Sequence, residues 1–375
     1  MEQELKKIYQ RFIKFEKRWF VIDAKQWSFS LEDLKIPDKI IKEYYDHYYA
    51  TPFLSFLVAI KDIVYSPNVY AYVSKNSVED WDLWQYLEFL SKEKIIKINK
   101  NGRVKILNKK ITGLIPKPRT EEEIKRIIEK KLRTKIKPKE PVINLFKKFA
   151  DFRVKAKWDQ MPISQESAVF VVKKILDYLP LKKRFLFVGD DDFISILLSL
   201  VDPEIESLAI DIDDQLLESL DILKKRFNLK VETRKVDIRK VKSLGEKFVG
   251  FLTNPVYTFD GVKEFVRYGL KQVRDDGAVV FVEIGDESIG KRFLLLQEFF
   301  NRSNLVLEEL INERIYYPYI ELYPEDKEIF RRFAKYLSRK TIVSAPKLAA
   351  SLYIFQKLPE RPKRVKFKKP IYAFL

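Results

Sequence analysis

The sequence of 375 residues has no cysteine, one histidine (His47), two methionines and ten glycines. Without cysteine there is no disulfide, no thiolate metal ligand, no iron–sulfur cluster and no thiol nucleophile. One histidine excludes histidine-rich metal sites and disfavours a Ser-His-Asp hydrolase. Acid–base chemistry therefore falls to carboxylates, lysines or tyrosines, and no metal is expected. Long hydrophobic runs are also missing: none approaches the ~18 residues of a membrane span. The start, MEQELKKIYQ, lacks the apolar centre of a signal peptide. A cytoplasmic protein with no membrane partner is expected. Scarce Cys, His, Met and Gly beside abundant Lys, Glu and Ile fits a thermophile.

What is present suffices for two or three domains with sizeable cores, since 46% of residues are hydrophobic and 34% charged. The net charge of +18 invites a nucleic-acid reading. Its distribution changes that reading. Residues 1–100 carry +1, 101–150 carry +11, 151–330 carry −6 and 331–375 carry +12. The excess sits in two basic segments flanking an acidic middle. Such segments contact RNA or simply keep a protein solvated.

Residues 3–20 place Leu5, Ile8, Tyr9, Phe12, Ile13, Trp19 and Phe20 at helical spacing. The aromatic cluster Tyr44–Tyr49, with His47 inside it, reads as core or interface packing, and the aromatic-rich 44–57 is a candidate homodimer face. DWDLWQYLEFLSKEK reads as a helix, followed by IIKI, an Asn-Gly turn and RVKIL, a hairpin. Helix then hairpin is the ending of a winged-helix unit. Its Lys97, Lys100, Arg103 and Lys105 suit nucleic acid or ordinary edge protection. Thr120 and Glu123 form a capping box, and Ser164 is the expected N-cap of a helix over 164–179. The expected domains are an N-terminal helical, winged-helix-like unit (1–115), a basic helical connector (116–150), a catalytic domain (151–357) and a basic tail (358–375).

From 184 onward, short strands alternate with helices: Arg184–Val188, Ser207–Ile212, Val231–Val236, Val249–Thr253 and Ala278–Glu283 as strands, Phe193–Leu200, Asp214–Phe227 and Val262–Lys271 as helices. This predicts an α/β, Rossmann-like doubly wound sheet of the class I methyltransferase kind. Ligands of such sheets bind at the carboxyl ends of the strands. The first strand ends in Gly189-Asp190-Asp191-Asp192. Phosphate would need glycines there, whereas three carboxylates welcome a cation. The expected ligand is a nucleoside without phosphate, carrying a sulfonium or amine. Asp211 and Asp213 end the second strand, where a carboxylate accepts from ribose hydroxyls, and Asp214 is expected to cap the next helix. Asp237 follows the third strand and suits an adenine amino group. Asn254-Pro255-Val256-Tyr257 ends the fourth, giving a carbonyl for an amine and an aromatic face.

VGDDDFISILLSL, LAIDIDDQLLE, TNPVYTFDGVKEFVRYGL, KWDQMPISQES with Gln160, and KLAASLYIF together resemble the branched-chain polyamine synthases, the bis(aminopropyl)spermidine synthases of archaea and bacteria. The resemblance covers roughly 150–357. It implies an aminopropyltransferase that uses decarboxylated S-adenosylmethionine and spermidine. Asp190, Asp191 and Asp192 would hold the polycation and accept its proton, either Asp191 or Asp192 being the acceptor. Gly189, Asp211, Asp213, Asp237 and Gln160 would line the nucleoside, and Asn254, Pro255 and Tyr257 the amine. Two positions depart from the pattern: Val256 replaces a proline, and Asn254 stands where aspartate is commoner. Asn-Pro-x-Tyr also resembles amino-group methyltransferases. The alternative is therefore an RNA- or ribosome-associated protein on the same fold, with S-adenosylmethionine-dependent or lost activity.

Overall fold

A computed structural model describes residues 2–27, 38–48, 50–65, 80–100, 102–319, 330–332, 334–338, 341 and 347–361. They form two compact units, the second running from Pro116 to Lys357 and the first taking the residues on either side.

The first unit contains helices α1 (Glu2–Trp27), α2 (Asp38–Tyr48), α3 (Phe53–Tyr65), α4 (Asp80–Lys92) and α5 (Lys109–Gly113), and strands β1 (Ile96–Ile98) and β2 (Val104–Ile106). The expected apolar face of α1 buries Leu5, Ile8 and Phe12. Phe12 packs among Phe56, Tyr86 and Phe89, with ring centroids 4.6, 4.7 and 5.2 Å away. Arg11 pairs with Glu93 and ties α1 to the end of α4. The expected hairpin is present as an antiparallel β1–β2 pair. Gly102 has a φ of +71° and donates to Asn99 O at 3.0 Å. In the aromatic cluster, Tyr45 is buried and donates to Glu16. The side chains of Tyr44, His47, Tyr48 and Tyr49, like the basic tail from 362, lie outside the described residues.

The second unit opens with α6 (Glu121–Leu132), which has the expected Thr120–Glu123 capping box. The segment expected as a connector is thus part of this unit. Next come α7 (Gln165–Tyr178), β3 (Phe185–Val188), α8 (Ile194–Val201), β4 (Ser207–Asp211), α9 (Asp214–Phe227), β5 (Val231–Lys235), β6 (Gly250–Thr253), α10 (Phe259–Gln272), β7 (Val279–Ile284), α11 (Asp286–Ile289), α12 (Phe293–Arg302), β8 (Leu305–Tyr317) and β9 (Leu348–Lys357). Ser164 caps α7 as expected. The sheet runs β5-β4-β3-β6-β7-β9-β8. The first five strands are parallel and β9 is antiparallel to both neighbours. This is the Rossmann-like, class I methyltransferase order. The central strands are buried along their length because helices cover both faces, hence the unbroken apolar runs FLFV and VVFV. The order reverses at β3, so a crevice opens where the carboxyl ends of β3, β4 and β6 diverge. Among the described residues no helix is long and apolar enough to cross a membrane.

Candidate active site

The β3–α8 loop divides the three aspartates among three surroundings. Gly189, at a φ of +79°, turns the chain off the strand. Asp190 folds inward and accepts from the Ser195 hydroxyl and amide. Asp192 is also buried and accepts from Ile163 N at 2.7 Å and Asn254 Nδ2 at 3.0 Å. Asp191 alone of the three lines a cavity of about 810 Å³. A tight turn makes this alternation possible: Phe193 donates to Asp190 O at 3.0 Å and adopts a left-handed φ of +55°. A bulky residue there costs about 1 kcal/mol or more. Phe146 and Phe152 compensate, packing on its ring at 5.2 and 5.4 Å.

The loop is a reservoir of suppressed acidity. Burial pushes the Asp191 carboxyl well above the usual range, and Asp192, Asp211 and Asp190 add to it. Burial raises Asp190 too, against the Ser195 hydrogen bonds. Asp192 reaches about 6, because burial outweighs the help of Ile163 and Asn254. A carboxyl at about 6 rather than 3.8 costs about 3 kcal/mol more to ionise.

Asp211 lines the cavity at the end of β4, and burial raises its carboxyl. It accepts from Asp213 N at 2.8 Å. Two expectations are corrected next to it. Asp213, not Asp214, caps α9, accepting from Gln215 N at 3.1 Å. Its side chain is 3% exposed, lies off the cavity wall and is gripped by Lys155 and Gln160. Burial opposes its ionisation, but those two partners prevail and its carboxyl titrates low. Asp214 instead pairs with Lys235 at the surface. The difference is physical: an N-cap side chain must reach forward to N2, and the one-residue offset puts Asp213 in that place. Gln160 borders the cavity, but its amide bridges Lys155 N and Asp213. Asp237 lines the cavity, with Arg239 bonded to both its oxygens; that pairing sets its carboxyl at about 2.

At the end of β6, Asn254, Pro255 and Tyr257 all line the cavity. The Asn254 carbonyl, expected to face an amine, already accepts from Tyr257 at 3.0 Å and Tyr317 at 3.1 Å. The two hydroxyls are 2.5 Å apart. Asn254 thus faces Asp192 with its NH2 and the tyrosines with its oxygen, the one orientation that satisfies all partners. The Tyr257 ring rests against Gly285, where a Cβ would stand 2.5 Å from its Cδ2.

Two residues of this region were not among the sequence-derived candidates. Tyr317 ends β8 and lines the cavity. Glu283, on β7, is 0% exposed, and neither carboxylate oxygen has a hydrogen-bond partner. Burial first, then Asp192 and Asp191, push its carboxyl well above the usual range, and the Tyr317 hydroxyl offsets only part of that. The signal was in the sequence: one acid interrupts the run VVFVEI at the end of a central strand.

The cavity therefore has a carboxyl floor at Asp191, a second acid at the end of β4 in Asp211 and an aromatic wall at Tyr257 and Tyr317. Residues 142–368 match the family profile of the branched-chain polyamine synthase A C-terminal domain. The chain belongs to this family. Among curated proteins, an uncharacterized protein of Methanocaldococcus jannaschii is 31% identical over 157 residues, 41% of this chain and 40% of the relative. The N(4)-bis(aminopropyl)spermidine synthase of the same organism is 27% identical over 140 residues, 36% of this chain and 40% of the relative. The alignments thus span about 40% of each curated relative's length. Among solved structures, a branched-chain polyamine synthase mutein from Thermus thermophilus, in complex with N4-aminopropylspermidine and 5'-methylthioadenosine, superposes with a TM-score of 0.47 at 15% identity, covering 87% of this chain and 94% of its own.

Proposed function

We propose that the protein is an aminopropyltransferase, moving the aminopropyl group of decarboxylated S-adenosylmethionine to the secondary amine of spermidine to make a branched polyamine. One observation carries the reading: Asp191 faces the cavity while Asp190 and Asp192 are bound into the protein. A protonated amine has no lone pair. It must give a proton to a base before its nitrogen attacks carbon. Asp191 is that base: burial first, and then repulsion from Asp192, Asp211 and Asp190, raise its proton affinity. The carbon–nitrogen bond forms as the carbon–sulfur bond breaks, and methylthioadenosine leaves as a neutral thioether. Sulfur needs no acid to depart. Asp211 takes the ribose hydroxyls, and the tyrosine wall offers ring faces to the cationic chain. Asp237 reaches an adenine amino group through whatever oxygen capacity Arg239 leaves it.

The test is incubation with decarboxylated S-adenosylmethionine and spermidine, with products read by mass spectrometry. Asp191→Asn should lower turnover by about 100-fold or more. Its melting temperature should hold or rise, since a buried carboxyl crowded by like groups is replaced by an amide that cannot ionise. Wild-type protein that makes no branched polyamine sinks the proposal, and so does unchanged turnover in the variant. S-adenosylmethionine with RNA, run alongside, checks the methyltransferase alternative.

A further inference from the structure

Glu283 is a buried carboxyl to which the reaction above gives no task. It is the fifth residue of β7, and its register partner on β9 is the apolar Leu352. The titratable groups that face it come from three other segments. Asp191 and Asp192 belong to the β3–α8 loop, Tyr257 to the β6–α10 loop and Tyr317 to the end of β8. No lysine, arginine or histidine is among the groups that act on it. A carboxylate there would be unsolvated, unmatched by any cation and next to two others. Such a group keeps its proton unless a cation compensates it.

We infer that Glu283 is the proton reserve of the acidic cluster: it keeps a proton in the ligand-free enzyme and releases it to solvent when an ammonium group of a polyamine settles against Asp191. The inference rests on the polyamine reading above. The step makes and breaks no carbon bond. One proton leaves the Glu283 carboxyl for the buffer as one positive charge enters with the ligand. The cluster's net charge is therefore unchanged, and the buried site exchanges one cation for another. A neutral ligand such as 5'-methylthioadenosine brings no charge and leaves the proton in place.

The experiment is calorimetric titration of the full chain with spermidine at pH 7, in phosphate and in Tris. These buffers differ in ionisation enthalpy, so the difference in heat counts protons released. The wild type should release about one proton more than Glu283→Gln. 5'-Methylthioadenosine should release none from Glu283. A second measurement needs only the wild type: its spermidine affinity should rise with pH between 5.5 and 7, by up to about tenfold per pH unit for one linked proton. Spermidine stays almost fully protonated below pH 7, so the slope belongs to the protein. Equal proton counts in wild type and variant, or a flat affinity profile, overturn the role of Glu283 alone. Absence of spermidine binding to the wild type overturns the polyamine reading itself.

Discussion

Gly285→Ala probes the tyrosine wall without relying on any assay of activity. Gly285 has an ordinary backbone, φ −80° and ψ 88°, so alanine meets no torsional objection. Its new methyl would stand 2.5 Å from Tyr257 Cδ2 and 2.8 Å from Cε2. Carbon atoms in contact sit at about 3.5–4.0 Å, so the ring must retreat by about 1 Å. Overpacking of that kind costs about 1–3 kcal/mol. The smaller entropy of the unfolded alanine chain returns about 0.4–1 kcal/mol. The net expectation is a loss of about 1–2 kcal/mol, which lowers the melting temperature by about 2–8 °C. Urea unfolding of a double-mutant cycle with Tyr257→Ala isolates the contact. Without the ring, Gly285→Ala should be neutral or slightly stabilising. Equal destabilisation in both backgrounds would falsify the assignment of the clash to Tyr257.

Two further perturbations test other parts of the site. Asn254→Asp would set a second carboxylate 3.0 Å from Asp192, where two charges repel by about 5 kcal/mol at an effective dielectric of 20. The pair should keep one proton, so the variant's urea midpoint should fall from pH 5 to 8 more steeply than the wild type's; parallel profiles refute it. Asp213→Ala removes a cap and strands Lys155 and Gln160, at a cost of about 1–3 kcal/mol near neutrality. Because Asp213 titrates low when folded, that cost should shrink as pH falls below about 4, and a cost independent of pH contradicts the ion pair.

The alternation of strands and helices was legible because each parallel strand is a short apolar run bounded by polar turns. The carboxyl-end residues Asp191, Asp211 and Asn254 followed from the strand ends, since the fold gathers those ends along one edge. The division of labour within Gly189–Asp192 was not legible. It depends on a left-handed Phe193 and on hydrogen-bond partners at Ile163 and Asn254, 29 and 62 residues away in sequence. Asp213 and Asp214 differ by one position, and only the cap geometry separates them. Tyr317 was out of reach for another reason. It arrives on a strand that the sequence pattern did not announce, because much of β8 is exposed and its apolar residues do not alternate cleanly.

Tyr317 also bears on how the enzyme matures during synthesis. Its hydroxyl meets Tyr257 and Asn254 from a strand that, among the described residues, pairs only with β9, residues 348–357. A nascent chain that has emerged as far as α12 already carries Asp191, Asp211 and Asn254. It lacks the strand between β8 and the rest of the sheet, so one side of the cavity has no wall. Domains tend to fold as units during translation, and contacts distant in sequence close last. The acidic floor is thus laid down early and enclosed late. Competence for chemistry that needs a walled cavity arrives in one step, when the last strand slides between its two antiparallel neighbours.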